Sequence, residues 1–219
     1  MSARESRAAL QLVTAEAVAY ATELANRVSG SPEVRRAALL DGVPELIAYY
    51  SEGSAALAAD FYEEERELAE VRSRFAAEAV VLDRTVKIRR AIAWSTAPWF
   101  DDSGDSADGR LAEVVQLETA RPYRDTITTN RRQDPDAVGW RRVTAGGCKF
   151  CRMLADRGAV YKADTARFAA HTNCHCVAQP VFTTNDTGVE ASVVQYRASR
   201  RSRSPEQRAA LREYLDSFY

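Results

Sequence analysis

Cys148 to Phe182 reads CKFCRMLADRGAVYKADTARFAAHTNCHCVAQPVF. This stretch holds all four cysteines and both histidines of the 219-residue chain, ordered C-x2-C, then nineteen residues, then H-x2-C-H-C. Thiolates and imidazoles gathered this closely are the ligands that soft or borderline metal ions select, and zinc is the first expectation. A tetrahedral site takes four donors. Cys148 and Cys151 are the firmest, and the other two come from His171, Cys174 and Cys176. His175 stands between two cysteines that face the other way and is expected outside the site. The competing readings are a pair of disulfides and a set of reduced, buried thiols without metal. The N-terminus carries no secretory signal, which weighs against the disulfides.

Local composition makes convergence of these residues feasible. Ala145-Gly146-Gly147 is a flexible entry. Cys148 to Arg157 has helical composition and ends at Gly158, a residue suited to a left-handed cap. Cys148 and Cys151, three apart, share one face of that turn. Val160 and Tyr161 suit a short strand, and Thr165 to Ala170 a helical turn. Cys174 to Phe182 is strand-like as far as Pro180, so Cys174 and Cys176 fall on one side of it.

Outward from this stretch, the rest of the chain reads as helical. A first helix is expected over residues 3–28. Ser31 and Pro32 start a second that runs to Leu40, with a break at Asp41-Gly42. Pro44 opens a third, which continues through AALAADFYEEEREL. The EEERE run at 63–67 reads as a solvated helix face. Arg74 to Ala97 reads as another helix, although its β-branched residues weaken the assignment of its ends. Asp101 to Gly109 is a polar connection whose aspartates are out of register for calcium. Arg110 to Arg132 is the last long helix, kinked or split by Pro122. Its Arg121, Arg124, Arg131 and Arg132 read as helix-dipole and surface partners.

The expected fold is therefore mainly α. Residues 1–144 form a helical bundle, 145–185 a small zinc-stabilised α+β module, and 186–219 a basic linker with a C-terminal helix. Formal net charge is −1 and composition 46% hydrophobic, enough for a core and without a global bias towards nucleic acid. No apolar run approaches the roughly eighteen residues of a membrane span, so a soluble chain is expected, with no membrane partner. Arg197, Arg200, Arg201 and Arg203 lie in RASRRSRS and lead to a helix with an apolar edge at Leu211, Tyr214, Leu215, Phe218 and Tyr219. That tail has the form of a docking element, with nucleic acid or a partner protein as its contact, or else packs back on its own chain.

WRRV (Trp140 to Val143), CKFCRMLADRG, HTNCHC and PVF together resemble the C-terminal motif of Mu F-like minor head proteins, in the form found in actinobacterial phages and prophages. AALAADFYEEER (Ala55 to Arg66) and RDTI (Arg124 to Ile127) are similar to that family's helical half, so the resemblance runs from about Val43 to Phe182. It implies a phage minor capsid protein acting in head morphogenesis. Its partners would be the portal protein and capsid or scaffold proteins, with packaged DNA as a further contact. Its location would be inside the virion, and the host cytoplasm during assembly.

Catalytic signatures are missing. Any Ser-His-Asp or Cys-His arrangement must draw on His171 or His175, both inside the cysteine cluster. The chain contains no H-E-x-x-H, no deaminase signature and no phosphate-cradling glycine loop. The expectation is a non-enzyme with one structural zinc ion and no small-molecule substrate. A capsid maturation protease and a zinc-containing DNA-binding protein are the rival readings.

Overall fold

Ser2 opens the first helix with a capping box: its hydroxyl accepts from the Glu5 N–H while the Glu5 carboxylate accepts from the Ser2 N–H. The helix, α1, spans Ala3–Arg27. The computed structural model describes residues 1–101, 106–144, 146, 148–158, 168, 170, 171, 173–183 and 204–219. One face of α1 is small, with Ala17, Ala21 and Ala25 buried. That lets the next helix approach closely, and Leu39, Val43 and Ile47 share a core cluster with these alanines.

The next helix, α2, runs unbroken over Pro32–Leu68, against the expected break at Asp41-Gly42. Two contacts explain its continuity. A Cβ on Gly42 would stand 2.9 Å from Leu24 Cδ2, so this glycine serves helix packing rather than chain reversal. Pro44 has no N–H to give the Leu40 carbonyl. That carbonyl accepts instead from Arg89 Nη1 at 2.6 Å. Tertiary structure thus repairs the helix where local sequence would end it.

The expected helix over 74–97 is only half present. α3 spans Thr85–Ser95, followed by a short 3-10 turn at Ala97–Trp99. Residues 74–84 form neither helix nor strand, and side chains of the helix α4 (Ala107–Gln133) satisfy part of their backbone. Asn130 accepts from the Glu78 N–H at 2.9 Å and donates to the Glu78 carbonyl at 2.8 Å. Thr126 Oγ1 accepts from the Val80 N–H at 2.9 Å. Amide and hydroxyl groups on α4 thus take up backbone groups that a helix here would have bonded internally.

α4 is one continuous helix through Pro122 and packs against α1, α2 and α3. It also meets a two-stranded antiparallel sheet of β1 (Gly139–Val143) and β2 (Val177–Val181), with Trp140 opposite Pro180 and Val143 opposite Val177. Leu10, Phe61, Tyr62, Tyr123 and Ile127 form one core cluster with Trp140, Val177 and Ala178. The hairpin is therefore packed into the same core as the helices.

The EEERE run departs from a solvated face. Arg66 is buried and paired with buried Asp134, and it also donates to the Ser73 carbonyl at 2.9 Å. Glu65 accepts from Gln179 Nε2 at 2.8 Å, and Glu63 accepts from the Ala77 N–H. Of the five, Glu67 alone is exposed.

Two short elements complete the description. α5 spans Lys149–Ala155, and α6 spans Pro205–Phe218 behind a second capping box at Ser204 and Gln207. α6 lies against α5, with Lys149 Nζ 2.7 Å from Asp216 and Arg152 donating to the Tyr219 carbonyl. Its Leu211, Tyr214 and Leu215 are half-buried, while Phe218 is exposed. The helix with capped start and apolar edge is as expected. Arg197, Arg200, Arg201 and Arg203 lie outside the described residues, as do the expected strand at Val160-Tyr161, most of the turn at 165–170, and residues 102–105 of the polar connection.

Candidate metal centre

The hairpin register brings the cysteines together. Val143 ends β1 opposite Val177, which begins β2. The chain leaving β1 towards Cys148 and the chain arriving through Cys174 to Cys176 therefore pass the same end of the sheet. Cys148 is the N-cap of α5, and Cys151 sits in its first turn with the Arg152 N–H bonded to the Cys148 carbonyl at 2.9 Å. Beyond the helix, Gly158 adopts φ +64°, the left-handed stop its type suggests. On the other arm, the Cys174 N–H donates to the His171 carbonyl at 3.0 Å. Asn173 takes φ +58° in that turn, a conformation asparagine tolerates.

Five donors converge in two triads that share Cys151. Cys148, Cys151 and His171 form one, and Cys151, Cys174 and Cys176 the other. Within each triad the ligand atoms lie within 4.8 Å of one another. Sulfurs on one tetrahedral zinc-sized ion, at about 2.3 Å each, stand about 3.8 Å apart, so each triad is of a size to share one such ion. All five expected ligands are therefore in the cluster, and among the described residues these groups could hold a metal ion. The four cysteines are unbridged, contrary to the disulfide reading. His175 is half-buried and belongs to neither triad; burial lowers its pKa.

The inner sulfurs are electrostatically unequal. Cys174 is held well below the ordinary thiol range because Cys151 and Cys176 donate to it, with the Arg124 charge adding to the effect. Cys151 is pushed up as a donor, and burial acts in the same direction. Cysteines ligate metals as thiolates, and Cys174 is the sulfur of this trio whose deprotonated form its neighbours favour.

Two arginines hold this cluster. Arg124 Nε donates to the Cys176 carbonyl at 3.1 Å, and its Nη2 donates to the Cys174 carbonyl at 2.8 Å. Gln116 Nε2 reaches the same Cys174 carbonyl at 3.1 Å. Arg142 Nη1 lies 3.6 Å from Cys151 Sγ and 3.8 Å from Cys174 Sγ. Both guanidinium groups face the ring of Phe168, at 3.9 Å for Arg142 and 4.9 Å for Arg124, and Trp140 stacks on that ring. Both arginines are 3% exposed.

Arg124 is thus not the surface partner that its basic neighbourhood suggests. The signal was periodicity: it falls with Ala120, Tyr123 and Ile127 at the spacing of one helix face, and all four are buried. Arg142 shares a strand face with buried Trp140 by the period of two. Gln116 carries the same mark, four residues before Ala120 and seven before Tyr123.

The fold and cluster define a mainly helical protein with a thiol-rich, metal-competent centre at its hairpin. The chain matches the VG15 protein family over residues 1–200 and belongs to it, which places it among phage proteins. No curated protein and no solved structure matches the chain. Among the described residues no helix is long and apolar enough to cross a membrane.

Proposed function

We propose that this phage protein is a minor capsid protein of the Mu F-like minor head type, acting in head morphogenesis, with one structural zinc ion in its thiol cluster. The observation that carries the reading is the convergence of both halves of the C-x2-C and H-x2-C-H-C motif on one centre, whose backbone is tied to the helical bundle by Arg124. Family membership supplies the phage setting. When bound, zinc cross-links α5 to the segment entering β2 and adds folding energy to a part of the chain too short to build a sizeable core of its own.

In this account residues 1–144 offer the helical surface that engages the portal and the capsid or scaffold proteins. Residues 145–185 form the metal-pinned module, and residues 186–219 carry the basic linker and α6. Packaged DNA is a secondary contact. The protein works in the host cytoplasm during assembly and is then carried inside the head. Its role is contact rather than catalysis: a centre with four protein ligands leaves no open position for a reacting water.

Mass spectrometry of purified particles and procapsids tests this reading. The expected result is the intact chain in both. Absence from both overturns the minor capsid role. Presence in procapsids alone, together with cut coat protein that becomes uncut in a His171→Ala phage, would turn the assignment to a maturation protease.

A further inference from the structure

We infer that copies of this chain associate through two outward helix faces of opposite charge, the basic face of α3 on one copy seating on the acidic face of α2 on another. This association is separate from the metal centre and from the capsid role.

Charge is segregated along this part of the sequence. Residues 37–65 hold seven Asp and Glu and no Lys or Arg, while residues 84–100 hold four Lys and Arg and no acid. In the helices these runs become stripes. Glu45, Tyr49, Glu52 and Asp60 follow one another at helical spacing along α2, and all four are exposed. Lys87, Arg90 and Trp94 do the same along α3, beside Val86, and these too are exposed. Each stripe sets large apolar side chains among its charges. Tyr49 is 72% exposed, Val86 63% and Trp94 47%, the last even though the Arg110 guanidinium lies over its ring. Aromatic residues and arginine are the types that carry most of the energy at protein interfaces.

One chain does not match its own stripes. Ile92 turns the other face of α3 into the core cluster with Leu39, Val43 and Ile47 of α2, so both stripes point outward. Arg89, at the edge of α3, reaches Asp41 at 3.9 Å. Lys87 and Arg90 on the outer face reach no acid among the described residues, and Glu45, Glu52 and Asp60 reach no base there. A second copy supplies what each stripe lacks, opposite charge together with an apolar surface. Duplex DNA would neutralise Lys87 and Arg90, but it offers nothing to the acidic stripe and no apolar cover to Val86 and Trp94. Because every copy carries both stripes, the chain is complementary to itself. Opposite charges across such an interface fix its register and reject wrong pairings.

Sedimentation velocity of the full-length protein at micromolar concentration tests the pairing. The expected result is self-association that weakens about 10-fold between low salt and half-molar salt. Lys87→Glu with Arg90→Glu, and separately Glu45→Lys with Glu52→Lys, should each weaken it about 100-fold. All four positions are exposed, so both double variants should keep the circular dichroism of the unaltered chain. An equimolar mixture of the two should associate again, because each then presents the charge the other lacks, a rescue that misfolding would not give. An unaltered chain that stays monomeric at low salt overturns the inference, as does association that the charge reversals leave unchanged or a mixture that stays monomeric. A monomeric chain that binds a duplex oligonucleotide through Lys87 and Arg90 also overturns it, with DNA as the occupant of α3.

Discussion

Arg124 donates to the Cys174 carbonyl at 2.8 Å across fifty positions of sequence. One side chain at the middle of α4 thus fixes the backbone of the cysteine segment, and the metal-binding arm is ordered by the bundle as well as by its own ligands. Replacing Arg124 with alanine leaves two buried carbonyls short of a charged donor. The expected cost is about 3 kcal/mol or more. Urea unfolding measures it, and hydrogen exchange should show the loss centred on β2 and the Cys174 segment. A loss confined to α4 would contradict this coupling.

The Arg66–Asp134 pair is buried at the other side of the hairpin, where Asp134 also accepts from the Tyr62 hydroxyl at 3.1 Å. Removing one partner strands the other. Arg66→Ala or Asp134→Ala should each lower unfolding stability by about 3–5 kcal/mol, and the double variant should lose much less than the two added together. Denaturant titration of the three variants is the check.

Two glycines in α2 should respond with opposite signs to added side chains. A Cβ on Gly53 would meet nothing within 4 Å, so Gly53→Ala should stabilise the helix by roughly 1 kcal/mol. A Cβ on Gly42 would meet Leu24 at 2.9 Å. Gly42→Val should cost about 1–3 kcal/mol by overpacking, and Leu24→Ala in the same chain should recover part of that. Melting temperatures of the set distinguish packing from propensity.

These glycines also show what the sequence could and could not convey. The mainly helical fold, the first helix, the capped C-terminal helix and the five clustered donors follow from local patterns: capping residues, periodicity and ligand spacing. The strand expected from Cys174 to Pro180 is there only in part: it starts at Val177, after both cysteines, and runs through Pro180 to Val181. The unbroken α2 does not follow from such patterns. It depends on Leu24 beside Gly42 and on Arg89 reaching the Leu40 carbonyl, contacts made by residues far away in the chain. The non-helical course of residues 74–84 likewise depends on Asn130 and Thr126. The arginines around the cluster were legible only through periodicity, because their charge argued for the surface.

Acid stability should report on Glu118. Burial alone would raise its pKa, but Arg84, bonded at 2.7 and 2.9 Å, and the neighbouring Arg121 outweigh that and hold it below the ordinary range. A lowered folded-state pKa means stability that is present above the unfolded value and is lost as pH falls through the folded one. Glu118→Gln should therefore lose stability at neutral pH and show a flatter acid limb. Glu65 has the opposite sign: burial raises its pKa, so its contribution declines as pH rises above the ordinary carboxylate value. Glu65→Gln should flatten that part of the profile. Stability measured from about pH 3 to 7 separates the two.

The central claim is that one metal ion pins the cysteine arms to each other at the end of the hairpin. Elemental analysis of the purified full-length protein, paired with native mass spectrometry, tests it most directly. The account predicts about one zinc per chain, lost in Cys151→Ser, the residue common to both triads, with loosening of the hairpin on chelation. A metal-free chain whose hairpin and cysteine segment are as well protected from hydrogen exchange as the untreated protein would contradict it.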